Sequence, residues 1–143
     1  MGALHKGHLS LVSSSLEVCD NTLVSIFINP KQFGENEDLG TYPRSLKKDL
    51  EKLCGLSVGA VFCPQPAEMY PVGSTVFVNE LNLSRCLEGQ RRPGFFGGVL
   101  TVVCKLFNVV TPTHSFFGEK DPQQIRLIEK MCCDLNFNIN IIS

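Results

Sequence analysis

Apolar and polar positions along the chain follow two patterns, one typical of buried strands and one typical of amphipathic helices. Apolar runs rich in β-branched and aromatic residues predict strands at 22–28, 58–63, 115–118 and 138–142, with a further short strand at 75–78. Apolar positions at helical spacing predict helices at about 7–19, 44–54, 99–110 and 123–134. Residues 29–43 and 80–98 are predicted to be loops.

The alternation of strands and helices predicts an α/β fold, with a parallel sheet and helices on both of its faces. The chain has 143 residues, which fits a single domain with its own core. Ligands of such folds bind at the carboxyl ends of the strands. Residues 29–32 and 118–124, which directly follow two of the strands, are therefore the places where we expect a site.

Composition restricts the class of protein further. The formal net charge is -1, so nothing favours a nucleic-acid or anionic-membrane partner, and no apolar run is long enough to span a membrane. The seven cysteines are an odd number at irregular spacings without a C-x-x-C pair. We therefore expect reduced, mostly buried thiols in a cytosolic protein rather than disulfides or a zinc site.

The first twelve residues hold the most suggestive chemistry. His5 and His8 flank Gly7 at the point where a loop becomes a helix, and the N–H groups of a helix start attract anions. Gly7 lets a phosphate approach the backbone, and the imidazoles can donate hydrogen bonds to its oxygens. An H-x-G-H sequence at a helix start resembles the triphosphate loop of a large group of nucleotidyltransferases. Two solvated histidines at a helix start are the simpler alternative.

The segments after the strands add amides and charge. Asn29 and Gln32 can donate to and accept from a ligand with hydroxyl and carboxylate groups. Lys120 can place a positive charge on a phosphate, and Asp121 can cap the next helix, orient a lysine or hold Mg²⁺. Gln124, one turn into that helix, can point back to the same cleft. A turn-forming loop and a capped surface helix remain the alternatives.

Six segments together resemble the pantothenate synthetase (pantoate–β-alanine ligase) family, in its order and at its spacing. They are residues 1–12, 25–33, 37–44, 92–94, 98–107 and 117–124. The resemblance implies a Rossmann-like nucleotidyltransferase fold and ATP-dependent condensation of pantoate with β-alanine. The reaction would pass through pantoyl adenylate, with Mg²⁺ as cofactor, in a cytoplasmic homodimer without nucleic-acid or membrane partners.

The resemblance also implies roles for individual residues. The expected ATP-binding residues are Met1, Gly2, Ala3, Leu4, His5, Lys6, Gly7 and His8, followed by Gly118, Glu119, Lys120 and Asp121. His8, as proton donor, with His5 and Lys120 would be catalytic. Gln32, Gln124 and Asn29 would bind the substrate, and Asp49 would assist Mg²⁺.

Three features differ from the family pattern. Family members have a strand before the Met-Gly motif, in the middle of the sheet, so we expect unpaired edges on the neighbouring strands. They also continue past this chain with a Ser-Ser-Arg segment and a lid domain, so residues 1–143 are expected to form one incomplete ATP- and pantoate-binding domain. Phe95 stands where the family usually has His. The alternatives are a non-catalytic remnant that binds nucleotide weakly, and another nucleotidyltransferase with an H-x-G-H loop.

Overall fold

The computed structural model describes residues 2–33 and 45–143 as helices and short strands in alternation. The helices are α1 (Lys6–Val18), α2 (Leu46–Leu53), α3 (Pro66–Met69), α4 (Glu88–Arg91), α5 (Phe95–Val110) and α6 (Pro122–Asp134). The strands are β1 (Leu23–Ser25), β2 (Ala60–Phe62), β3 (His114–Phe116) and β4 (Asn140–Ile142). Two 3₁₀ turns span Pro30–Gln32 and Leu83–Arg85. The predicted α/β class is confirmed.

The strands form two parallel pairs rather than the single sheet that the sequence predicts. β1 pairs with β2, with Val24 opposite Val61, and β3 pairs with β4, with Ser115 opposite Ile141. Within the described ranges, β1 and β3 each pair with one strand and have an unpaired edge on the other side. This agrees with the expectation of unpaired strand edges. A cleft of about 800 Å³ lies between the two pairs and is lined by residues of β1 and β3.

Two apolar clusters hold the helices against the strands. In the larger cluster, α5 contributes Phe96 and Leu100 and α6 contributes Leu127 and Ile128, all almost completely buried. The smaller cluster consists of Leu4, Val12, Ile26 and Leu53, so it joins the start of the described chain to α1, β1 and α2. Residues 2–8, called the His loop below because they contain His5 and His8, are therefore fixed to the fold by their own apolar residue, Leu4.

The segment 75–98 corrects two predictions. Residues 75–78 form no strand, and the backbone N–H of Val78 donates instead to the Thr101 hydroxyl of α5 (3.0 Å). The predicted loop at 80–98 contains a 3₁₀ turn, α4 and the start of α5, four residues earlier than predicted. Its glycines and arginines suggested a loop, whereas tight packing shapes it: a Cβ on Gly89 would lie 2.0 Å from the carbonyl oxygen of Ser84.

Pro66 begins a helix that the sequence interpretation missed. Pro64 and Pro66 follow the apolar run that contains β2, and Pro66 occupies the first turn of α3, where its missing N–H costs nothing. The Glu68 carboxylate accepts a hydrogen bond from the backbone N–H of Gln65 (2.6 Å) at this helix start.

Among the described residues, no helix is long and apolar enough to cross a membrane.

Candidate active site

The two histidines at the start of α1 form a reciprocal capping arrangement. His5 is the N-cap residue, and its Nδ1 accepts from the backbone N–H of Gly7 (3.1 Å). Nδ1 of His8 accepts from the backbone N–H of His5 (3.3 Å), and the two ring centroids are 3.9 Å apart. Since Nδ1 is the acceptor in both neutral rings, both Nε2 atoms carry the proton. Each imidazole therefore offers an N–H donor beside a helix N-terminus, which suits an anion.

His8 lies between the surface and the cleft. Burial lowers the pKa of His8, and the neighbouring His5 lowers it further, with a smaller contribution from Lys120. The carboxylate of Asp49 acts in the opposite direction. The balance favours the neutral imidazole, which can donate from Nε2 without carrying charge.

The loop before α1 is attached to α2 by Asp49. One carboxylate oxygen accepts from the backbone N–H of Ala3 (2.8 Å) and the other from that of Leu4 (2.7 Å). Lys52, one turn further along α2, donates from Nζ to the carbonyl oxygen of Leu4. The position of the His loop is thus set by a helix that lies more than forty residues away in sequence.

Asn29 is buried and fully engaged, with only 1% of its surface exposed. Its Oδ1 accepts from the backbone N–H of Lys31 (3.1 Å) and from the Tyr70 hydroxyl (2.9 Å), and its Nδ2 donates to the carbonyl oxygen of Gly98 (3.0 Å). These bonds cap the 3₁₀ turn that carries Gln32. Asn29 lines the cleft together with Gln32, but its hydrogen bonds position the turn.

Arg92 and Phe95 hold the other side of this turn. The Arg92 guanidinium donates from Nη2 to the carbonyl oxygen of Gln32 (3.1 Å) and lies 3.8 Å from the centre of the Phe95 ring. The phenyl ring at this position therefore supports Arg92 by a cation–π contact. A histidine could donate a hydrogen bond here, whereas Phe95 only packs.

The loop 118–121 leads into α6 as the sequence predicts. Oδ1 of Asp121 accepts from the backbone N–H of Gln124 (2.9 Å), so Asp121 is the N-cap. Glu119 and Lys120 are exposed. Gln123, which the sequence did not single out, is buried and ties α6 to the carbonyl oxygens of Leu83 and Cys86 (both 2.8 Å).

The structure brings part of the predicted site to one place. The predicted residues that line the cleft are Leu4, His8, Asn29, Gln32, Gly118 and Gln124. Lys6 is exposed, and Gly2 is buried beside Asp49. Met1 and the motif at 37–44 lie outside the described residues. Tyr70 and Gly98, which hold Asn29, were missed because they are 41 and 69 residues away from it in sequence.

The side chains of the candidate site do not form a complete set of metal ligands. Nowhere in residues 2–33 and 45–143 do three or more His, Cys, Asp or Glu side chains come together so that they could hold a metal ion. Asp49, the predicted Mg²⁺ residue, uses both oxygens on backbone N–H groups. Its assignment to Mg²⁺ stays a prediction.

Parallel strands, a helix start that suits an anion and a cleft between the strand pairs are features of an α/β protein of the nucleotidyltransferase-like class. The sequence model of the family "Pantoate-beta-alanine ligase" matches residues 1–143. This chain therefore belongs to the pantoate-beta-alanine ligase family.

Individual relatives agree with this assignment. Pantothenate synthetase from Thermosipho africanus is 51% identical over 142 residues, and that from Bartonella bacilliformis is 53% identical. The match covers 99% of this chain but 51% and 50% of those proteins, so the chain spans about half the length of the curated relatives that it matches.

Solved structures show the same fold. A crystal structure of pantothenate synthetase from Thermus thermophilus superimposes with a TM-score of 0.96 at 43% identity, covering 99% of this chain and 52% of that one. Pantoate-beta-alanine ligase from Francisella tularensis, complexed with beta-gamma ATP and beta-alanine, gives a TM-score of 0.95 at 42% identity. That match covers 99% of this chain and 55% of the other.

Proposed function

We propose that this chain carries the ATP- and pantoate-binding part of an enzyme that condenses pantoate with β-alanine. The observation that supports this most directly is the cleft that gathers His8, Gln32 and Gln124 beside the start of α1. The first step joins a pantoate carboxylate oxygen to the α-phosphorus of ATP and expels pyrophosphate. In the second step, the β-alanine amine attacks the pantoyl carbonyl carbon, AMP leaves, and the nitrogen releases a proton.

The His loop and Lys120 are proposed to stabilise the transferring phosphate. Nε2–H of His5 and of His8 can donate to phosphate oxygens, because the Nδ1 atoms of the two rings already accept the backbone N–H groups of Gly7 and His5. Lys120 is exposed at the other segment of the predicted ATP site and adds a positive charge. Transfer to phosphorus depends mainly on alignment and charge neutralisation, which is what these groups supply.

Gln32 and Gln124 are the proposed pantoate ligands. Both line the cleft, and each amide can donate to and accept from a hydroxyl or carboxylate group. Asn29 acts on the same ligand by holding the turn that carries Gln32. The structure of the Francisella tularensis ligase in complex with beta-gamma ATP and beta-alanine supports ATP and β-alanine as the other two substrates.

We further propose that Mg²⁺ accompanies ATP, held mainly by phosphate oxygens and water, and neutralises phosphate charge. A homodimer in the cytoplasm is also proposed. All seven cysteines are free, which suits a reducing compartment. Of the seven, Cys132 alone is buried, so the expectation of mostly buried thiols is wrong.

Exchange of labelled pyrophosphate into ATP tests the proposed function. We expect exchange by the purified protein that requires both Mg²⁺ and pantoate, since adenylate formation is reversible and pantoate is its acceptor. Assays without pantoate, and with β-alanine in its place, are the controls. ATP binding without exchange would indicate the non-catalytic remnant, and exchange that does not depend on pantoate would indicate a different nucleotidyltransferase.

A further inference from the structure

We propose that Asp49 and Lys52 are positioning residues, which hold the backbone of residues 2–4 so that the His loop faces the cleft. In this proposal the Asp49 carboxylate is a structural anchor and not a ligand of Mg²⁺. The catalytic consequence rests on the proposed function, whereas the structural consequence does not.

Burial of the Asp49 carboxylate is the first argument. Only 3% of Asp49 is exposed, and a buried carboxylate is costly unless hydrogen bonds replace its hydration. The backbone N–H groups of Ala3 and Leu4 provide that replacement, one on each oxygen, at 2.8 and 2.7 Å. Bonds to an ionised acceptor are the stronger kind, so they can determine the path of a short loop.

The conformation of the loop is the second argument. Gly2 has φ 120° and Ala3 has φ 52°, and a positive φ is unfavourable for a residue with a Cβ such as Ala3. Such a conformation persists only if surrounding contacts enforce it. Asp49 supplies two of those contacts, and burial of Leu4 against Leu53 of α2 supplies a third.

The third argument concerns Lys52, which is one turn from Asp49 on α2 and donates to the carbonyl oxygen of Leu4. Anchor bonds therefore reach both the N–H and the carbonyl group of Leu4. Lys52 thus brings a positive charge to the same residue whose N–H the carboxylate binds, and this charge disfavours a second cation there. Mg²⁺ usually keeps several water ligands, for which a residue that is only 3% exposed leaves little room.

Amide hydrogen exchange tests the anchor without reference to activity. We compare the parent protein with Asp49→Asn, Lys52→Met and the control Glu51→Gln, which changes an exposed residue of the same helix. Asparagine keeps the size of the side chain but turns one acceptor into a donor that faces an N–H. NMR in the absence of ATP and Mg²⁺ should show amide exchange at Ala3 and Leu4 about tenfold or more faster in Asp49→Asn than in the control. Unchanged exchange would overturn the proposal.

Magnesium titrations of pantoate-dependent ATP–pyrophosphate exchange separate the anchor from a metal ligand. For an anchor, Asp49→Asn and Lys52→Met should both lower the rate at saturating Mg²⁺, the former by about tenfold or more, without moving the Mg²⁺ midpoint. For a metal ligand, Asp49→Asn should raise the midpoint and Lys52→Met, which removes a competing cation, should lower it. That second pattern would overturn the proposal.

Failure of the proposed function is distinguishable from failure of this inference. A parent protein without pantoate-dependent exchange would refute the proposed reaction, while the amide exchange rates would still decide whether Asp49 anchors the loop. Lys52→Met keeps the buried carboxylate and its two bonds, so it tests the same anchor if Asp49→Asn does not fold. A Lys52→Met protein with parental exchange rates at the Leu4 amide and parental activity would limit the anchor to Asp49 and contradict the role of Lys52.

Discussion

His5 and His8 each combine two functions at the start of α1, a helix cap and a free ring N–H. Each Nδ1 accepts a backbone N–H, which a serine or aspartate would also do as a cap, but each ring keeps an Nε2–H for a ligand. Capping and the proposed anion binding therefore use opposite sides of the same imidazole. The reciprocal capping is a structural role that the sequence did not predict for these two histidines.

Lys120→Ala and His8→Ala should each slow adenylate formation about a hundredfold or more, equivalent to a loss of transition-state stabilisation of roughly 2.7 kcal/mol or more. Both substitutions remove a group that acts on developing phosphate charge, and neither removes a large apolar side chain. Pyrophosphate release in the presence of pantoate is the measurement. Lys47→Ala, at an exposed position of α2, is the control and should match the parent protein. Equal rates for either site variant and the parent would contradict the role assigned to that residue.

At the scale of elements, α5 matters because it packs directly against the Gln32 turn. A Cβ on Gly98 would lie 2.2 Å from the carbonyl oxygen of Lys31, and the Gly98 carbonyl oxygen accepts from Asn29. The glycine lets a helix and a turn approach until their backbones touch. Tyr70 and Arg92 fix the same turn from other sides, so three separate segments determine where Gln32 lies.

Gly98→Ala should therefore lower the free energy of unfolding by at least about 2 kcal/mol, because a backbone carbonyl must move to admit the methyl group. Urea denaturation followed by circular dichroism measures this effect. Gly97→Ala is the matched control in the same turn of α5: its Cβ would lie 3.4 Å from the Asn79 side chain. Alanine's helix propensity should make that variant about as stable as the parent or more stable, by up to about 1 kcal/mol. Similar losses for both glycines would contradict the explanation by close approach.

At the scale of the whole molecule, titratable groups that are partly or fully buried predict how stability depends on pH. Burial raises the pKa of the Cys63, Cys104 and Cys132 thiols above 9.0 and raises the pKa of Tyr70 to about 12. The unfolded chain releases these protons at a lower pH than the folded protein does, so stability should fall as pH rises above about 9. The lowered pKa of His8 affects stability in acid. The unfolded chain takes up a proton on this histidine at a higher pH than the folded protein does, so stability should also fall as pH drops below about 6.5.

Urea unfolding from about pH 5 to about pH 10.5, with a reductant present, measures both limbs. His8→Gln should flatten the acid limb, and Cys132→Ala should flatten the alkaline limb, since each removes one of the responsible protons. A free energy of unfolding that stays constant above pH 9 would show that the thiols and Tyr70 titrate alike in the folded and unfolded states.

The amino-acid sequence predicts most helices and strands here because their apolar patterns are regular. The predicted helices 7–19, 99–110 and 123–134 each correspond to an observed helix with bounds shifted by a few residues, and four of the five predicted strands exist, although they are short. The predictions for segment 75–98 were wrong because this segment makes its contacts with residues that are distant in sequence. For example, the Thr101 hydroxyl accepts a hydrogen bond from the backbone N–H of Val78. No local pattern carries that information.

The sequence by itself determined the α/β class, the His loop at a helix start and the amides at the ends of strands, because these depend on local pattern and on the residues present. The tertiary structure decided how those residues are used. It buried Asn29 and Asp49 as backbone anchors and separated the strands into two pairs around a cleft. The burial of these two side chains depends on hydrogen bonds between residues 45 to 69 positions apart, which only the folded chain brings together.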